Sequence, residues 1–188
     1  MVLVEVIFRA ALFGWFVLAS YRHFVVPHPE PIGMKLVRVV SLVAWASNSY
    51  ITVSPRNSAL FPFSDWLSLG LVLLSAGIFA SALKASTNSG IQIAFSTIKA
   101  NRLLRTGIYS IIRHPFYAAY LLFWWSWCLT STSLIPLLFA VVLTVLYCTA
   151  MRTEDSSLAQ SHGGDFEHYK SVTPSLVPTI AKKAVKKP

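Results

Sequence analysis

Side chains able to carry charge or move a proton crowd into two short stretches of this 188-residue chain. The first stretch, "NRLLRTGIYSIIRHPFY" (Asn101 to Tyr117), supplies Arg113 and His114 just before Pro115. The second, "RTEDSSLAQSHGGDFEHYKSVTPSLVP" (Arg152 to Pro178), supplies Glu154, Asp155, His162, Asp165, Glu167 and His168. Tyr109, Tyr117 and Tyr169 accompany them. Carboxylates take an ammonium or ribose hydroxyls, and arginine takes a carboxylate as a planar fork. Tyrosine faces attract a sulfonium, and they also suit a purine. A ligand that is zwitterionic and partly aromatic fits this set. S-adenosylmethionine has all of these parts and a nicotinamide dinucleotide shares several, so the residues alone leave that choice open.

Singly, each residue has a plainer explanation. An arginine at an interface can lay its stem along apolar surface and hold a phosphate. Pro115 suits the first turn of a helix and pushes His114 out of the α region. Two exposed acids near Arg152 can be solvated or paired with it, Gly163-Gly164 reads as a turn, and tyrosines gather at membrane interfaces. It is the convergence that carries information.

That convergence depends on the apolar segments between the two stretches. The chain is 55% hydrophobic and 12% charged, against about 25% charged in soluble domains. Five segments come near the roughly 20 apolar residues of a span: Val2 to Ser20, Leu36 to Val53, Trp66 to Leu83, Phe116 to Thr130, and Leu134 to Met151. The first is read as a retained span, because Glu5 and Arg9 interrupt it and no small-residue cleavage pattern follows. The last two, parted only by "STS" (Ser131 to Ser133), predict a tight helical hairpin with Pro136 in the first turn of the returning helix. The expected fold is all-α and multi-pass, with about five spans and a cofactor pocket where the hairpin opens.

With five spans, one side of the membrane carries 14 of the 16 Lys and Arg residues, while Arg56 lies opposite and Arg9 lies within the first span. This asymmetry assigns the basic side to the cytosol. The net charge of +9 then attracts anionic lipid headgroups. Basic residues scattered over juxtamembrane loops do not make a nucleic-acid surface. Cys128 and Cys148 sit in apolar runs, which argues against a zinc site or a disulfide framework. No G-x-G-x-x-G follows a strand and no P-loop occurs.

The ordered set "TGIYSIIRHPFY", "EDSSL", "HGGDFEHY" and "TPSLVP" closely resembles the C-terminal half of the isoprenylcysteine carboxyl methyltransferase family. The resemblance covers about residues 101–178. It implies a single membrane methyltransferase domain: N-terminal spans over 1–100, a cofactor-binding catalytic half over 101–178, and a basic tail over 179–188. It further implies S-adenosylmethionine as cofactor, a prenylated protein C-terminus or lipid-like molecule as substrate, and the endoplasmic reticulum membrane with site and C-terminus cytosolic. Asn101, Arg102, Leu103 and Leu104 match the segment lining the adenosine side. Tyr109 matches the aromatic of G-x-Y, and His114, Pro115, Phe116 and Tyr117 match the segment that wraps the cofactor. Glu154 matches the acid that holds the cofactor's amino group, and Tyr169 matches the final family tyrosine. Arg113 or Arg152 is expected to orient the acceptor carboxylate.

The chain departs from the pattern at Asp155, His162 and Phe166, and at Ala150, where such proteins often carry an arginine for that carboxylate. Arg152 lies two residues on, roughly 200° around a helix. It reaches inward only if the helix has ended. The rival readings are a methyltransferase for another lipid or small hydrophobic acceptor, an NADPH-dependent membrane sterol reductase, and a scaffold that has lost its chemistry.

Overall fold

The computed structural model describes residues 2–26, 28–54, 60–61, 63–87, 95 and 103–178. Six α-helices make up the described fold: α1 (Val2–His23), α2 (Ile32–Val53), α3 (Ser64–Ser86), α4 (Pro115–Ser126), α5 (Ile135–His162) and α6 (Gly164–Val172). Single 3₁₀ turns precede and follow α4, at Gly107–Ser110 and Trp127–Leu129. Where lipid replaces water, a helix satisfies its own backbone polar groups, so uninterrupted apolar runs become helices.

Four helices, α1, α2, α3 and α5, are long and apolar enough to cross a membrane. They expose Leu3, Val4, Val39, Leu42, Leu73, Leu74, Leu138 and Val145 outward, as an integral membrane protein in apolar solvent requires. The expected fifth span is shorter than a crossing. α4 has 12 residues, about 18 Å against a hydrocarbon core of about 30 Å. α5 exceeds expectation: its 28 residues make about 42 Å, so the helix runs on past the bilayer core.

α4 is the buried member of the bundle. It packs on α3 along a stripe of small residues, Ser64, Ser68, Ser75, Ala82 and Ser86, all buried. Small side chains let helix backbones approach closely in lipid, and the Ser75 hydroxyl donates to the Ala119 carbonyl at 2.7 Å. Aromatic rings fill the remaining space. Phe79 meets Phe16, Phe116 and Tyr120 at centroid distances of 4.4, 5.3 and 5.8 Å.

Gly163 links α5 to α6 at φ 51°, a conformation that only glycine adopts without strain. The chain thereby reverses, and α6 folds back along the protruding end of α5. The expected Gly163-Gly164 turn is thus a single hinge residue, since Gly164 already opens α6.

Candidate functional site

The two chemistry-bearing stretches meet at one end of the bundle. His114 closes the N-terminus of α4 outside the α region (φ −121°, ψ 63°), with Pro115 following it in the first turn. The backbone here is tied to the segment after α6. Arg113 N–H donates to the Pro174 carbonyl at 2.8 Å and His114 N–H to the Ser175 carbonyl at 3.0 Å. The "TPSLVP" element therefore acts as a strap across the start of α4.

Asp155 binds both residues of the Arg-His pair. Its Oδ2 accepts from the Arg113 guanidinium at 3.0 Å, and its Oδ1 lies 2.9 Å from His114 Nε2. Arg113 also donates to the Thr173 carbonyl at 2.7 Å and the Lys170 carbonyl at 3.3 Å, which end α6. Only its Nε lacks a partner among the described residues. Its guanidinium is thus engaged by protein rather than presented to a ligand.

Glu154 stands apart from this clamp. Its carboxylate is 3.7 Å from His114 Nδ1 and its side chain is 39% exposed. The Tyr117 hydroxyl faces it. Behind it an aromatic ladder descends into the membrane: His114 to Tyr117 at 5.7 Å, Tyr117 to Tyr147 at 5.8 Å, and Tyr147 stacked on Tyr120 at 5.6 Å.

Tyr109 and Tyr169 close the other flank. The Tyr169 hydroxyl donates to the Tyr109 carbonyl at 2.6 Å. Burial pushes the Tyr169 phenol up to about 12, and burial likewise raises Tyr109, so both are neutral donors at pH 7. Arg105 bonds the Asp165 carbonyl at 2.9 Å and lies 6.0 Å from the Tyr169 ring.

The structure brings Arg113, His114, Pro115, Tyr117 and Glu154 together, with Tyr109 and Tyr169 beside them. Leu103 and Leu104 are half-buried ahead of the first 3₁₀ turn, whereas Asn101 and Arg102 lie outside the described residues. Phe116 turns away from the polar cluster and packs against Phe24 and Phe79 at 5.0 and 5.3 Å. Arg152 is not brought in. α5 continues through it to His162, so Arg152 stays about 200° from the buried Ala150 and is exposed. Ala150 itself is fully buried. Asp155, in the sequence only a departure from the family pattern, is the hub. Its place directly after Glu154, about 100° around the helix, was the available signal. Among the described residues no group of three His, Cys, Asp or Glu side chains could hold a metal.

Comparison with known proteins fits this arrangement. A model of the phospholipid methyltransferase family matches residues 63–165. A methanethiol S-methyltransferase of Crocosphaera subtropica is 35% identical over 77 residues, 40% of this chain and 29% of the relative. A protein-S-isoprenylcysteine O-methyltransferase of Schizosaccharomyces pombe is 30% identical over 127 residues, 64% of this chain and 52% of the relative. A cobalt-zinc-cadmium resistance protein, CzcN, of Cupriavidus metallidurans is 28% identical over 127 residues, 66% of this chain and 58% of the relative. The chain thus spans between about a third and just over half the length of these curated relatives. The family match covers α3, the strapped Arg-His-Pro turn, α4, α5 and the hinge at Gly163, and on that ground the chain belongs to the phospholipid methyltransferase family.

Proposed function

We propose that this protein transfers a methyl group from S-adenosylmethionine to a hydrophobic acceptor drawn from the bilayer. One observation carries the reading: Glu154 is left outside the Asp155 clamp, half-exposed, between a buried imidazole and a buried tyrosine. Those residues fit the cofactor. A half-exposed carboxylate suits its ammonium, and the Tyr109, Tyr117 and Tyr169 faces suit a sulfonium and a purine.

Bound there, S-adenosylmethionine supplies a methyl carbon that is electrophilic because it sits on a sulfonium. Glu154 would hold the ammonium. His114 has one ring nitrogen on Asp155 and the other facing Glu154, so it orients that carboxylate instead of serving as a free base. Arg113, held through both terminal nitrogens by Asp155 and the end of α6, fixes the strap in place. The apolar spans keep water from the acceptor side, and alignment of acceptor, methyl and sulfur supplies several kcal/mol.

The acceptor divides into two readings. The motif resemblance and the Schizosaccharomyces pombe relative favour the carboxylate of a prenylated cysteine. The exposed Arg152, the buried Ala150 and the engaged Arg113 favour an acceptor without a carboxylate, because Arg152 lies about 200° around α5 from Ala150 and both terminal nitrogens of Arg113 are already bonded by protein. We take the second: a thiol or another neutral group on a lipid-like or small hydrophobic molecule, with the endoplasmic reticulum membrane and a cytosolic site as the working assignment. The test is tritium transfer from labelled S-adenosylmethionine in membranes, offering alkanethiols of graded length beside N-acetyl-S-farnesylcysteine, with Glu154→Gln as control. Thiol methylation should rise with pH as the thiolate forms, whereas a carboxylate acceptor is already ionised at pH 7. Base-labile ester counts from the farnesylcysteine alone would overturn the choice of acceptor. Wild-type membranes that bind no cofactor would overturn the methyltransferase reading itself.

A further inference from the structure

The far end of α4 holds a second polar cluster, buried among spans. Arg9 of α1 is fully buried. Its guanidinium donates to Glu5 at 2.8 Å, to the Ser126 hydroxyl at 2.8 Å and to the Ser68 hydroxyl. It also lies 4.1 Å from the centre of the Trp127 ring. Ser68 in turn donates to the Ser126 carbonyl at 2.9 Å, and Ser126 to the Phe123 carbonyl at 2.6 Å.

A short helix explains why an arginine sits there. The last carbonyls of any helix lack intrahelical partners, and in a membrane no water replaces them. α4 ends at the level of Ser68 and Arg9, about 6 Å inside the start of α3 and about 10 Å inside the start of α1. Ser68 caps the Ser126 carbonyl and Ser126 the Phe123 carbonyl, and Arg9 fixes both hydroxyls while Glu5 balances its charge. An ionisable residue within a span is costly unless paired in this way.

The other end of α4 carries His114 and Tyr117. The helix between is one stiff rod, about 17 Å from Pro115 to Ser126. Its depth in the bundle is therefore set at both ends: by Asp155 at the site and by Arg9 far from it. We infer that Arg9 is a positioning residue for methyl transfer, acting through the axial register of α4. This inference rests on the function proposed above.

The test uses the full chain in lipid nanodiscs. Arg9→Met and Ser126→Ala are compared with wild type in equilibrium binding of labelled S-adenosylmethionine, counted per folded molecule. Spin labels at Ser110→Cys and Ser156→Cys, in a Cys128→Ala/Cys148→Ala background, report the position of the start of α4 against α5 without any cofactor. Arg9→Met should weaken binding by about tenfold, equivalent to about 1.4 kcal/mol, and broaden the spin-label distance distribution. Ser126→Ala should shift both in the same direction by less. Wild-type affinity and a narrow distribution in folded Arg9→Met would overturn the inference. If Arg9→Met does not fold, Ser126→Ala decides on the same two readouts, and unchanged values there overturn it. If wild type binds no cofactor, the methyltransferase reading falls and the distance distribution alone decides the register: unchanged in the variants, it overturns the inference as well.

Discussion

The two ends of α4 carry polar clusters built from similar parts and finished differently. At the far end Arg9, Glu5, Ser68 and Ser126 bond one another, and the arginine is wholly enclosed. At the near end Asp155, Arg113 and His114 close on one another, but Glu154 remains half-exposed beside them. Buried charge persists in a membrane only when paired. A cluster that satisfies itself completely serves architecture, whereas one that leaves a carboxylate open beside buried aromatic rings offers it to something else. The contrast therefore separates structural charge from binding charge within one helix-length.

The sharpest way to break this comparison is Asp155→Ala. Asp155 neutralises Arg113, whose side chain is 9% exposed. Removing one partner of a buried pair leaves an uncompensated charge, and the expected loss of stability is about 3 kcal/mol. Unfolding followed by near-ultraviolet circular dichroism in nanodiscs measures it. A loss below about 1 kcal/mol, the scale of an exposed pair, would mean that the near-end clamp is not structural.

Glu154→Gln tests the open half of the cluster. The carboxamide keeps the shape and removes the charge, so stability should hold within about 0.5 kcal/mol. Cofactor affinity should fall about ten- to hundredfold, matching the 1.5–3 kcal/mol of a hydrogen bond to a charged group. Equal effects on stability from Glu154→Gln and Asp155→Ala would erase the distinction between the two acids.

Gly163→Ala probes whether α6 must fold back for the clamp to form. At φ 51° an alanine is strained, and the expected cost is about 1–2 kcal/mol. Because the end of α6 supplies the Thr173 and Lys170 carbonyls to Arg113, protease sensitivity after α5 should rise while the Arg9 end is unchanged. Protection of the α6 amides in hydrogen exchange gives the check.

How far these regions could be read from the chain follows from their separation along it. The near cluster assembles from ordered motifs, and the Arg-His-Pro turn, the paired acids and the hairpin were all visible as local patterns. Arg9, by contrast, meets Ser68 and Ser126 across 59 and 117 residues, and no local periodicity encodes such a contact. The apolar run from Phe116 to Thr130 overstates α4, because such a run bounds what can lie in lipid, not where helix ends. The residues that follow α4, Trp127 to Leu129, form a 3₁₀ turn instead. For the same reason hydropathy alone stops α5 at Met151, short of its end at His162. Yet Arg152, Leu158, Ala159 and Gln160 favour helix, and Gly163 marks its stop, so the polar extension was readable by propensity once hydropathy ceased to decide. That extension turns Arg152 outward.

Arg152→Ala is accordingly the smallest expected effect and tests the acceptor most directly. Arg152 is exposed and its carbonyl accepts the Ser156 hydroxyl at 2.9 Å, a bond that does not need its side chain. Stability should change by less than about 0.5 kcal/mol, and cofactor affinity should not move, because Glu154 lies about 200° away on the same helix. With alkanethiols as acceptor the methylation rate should match wild type. A selective loss toward N-acetyl-S-farnesylcysteine, with cofactor binding intact, would show that the side chain swings inward to meet a carboxylate. The open cluster would then extend along α5 to Arg152, and the acceptor would be an acid.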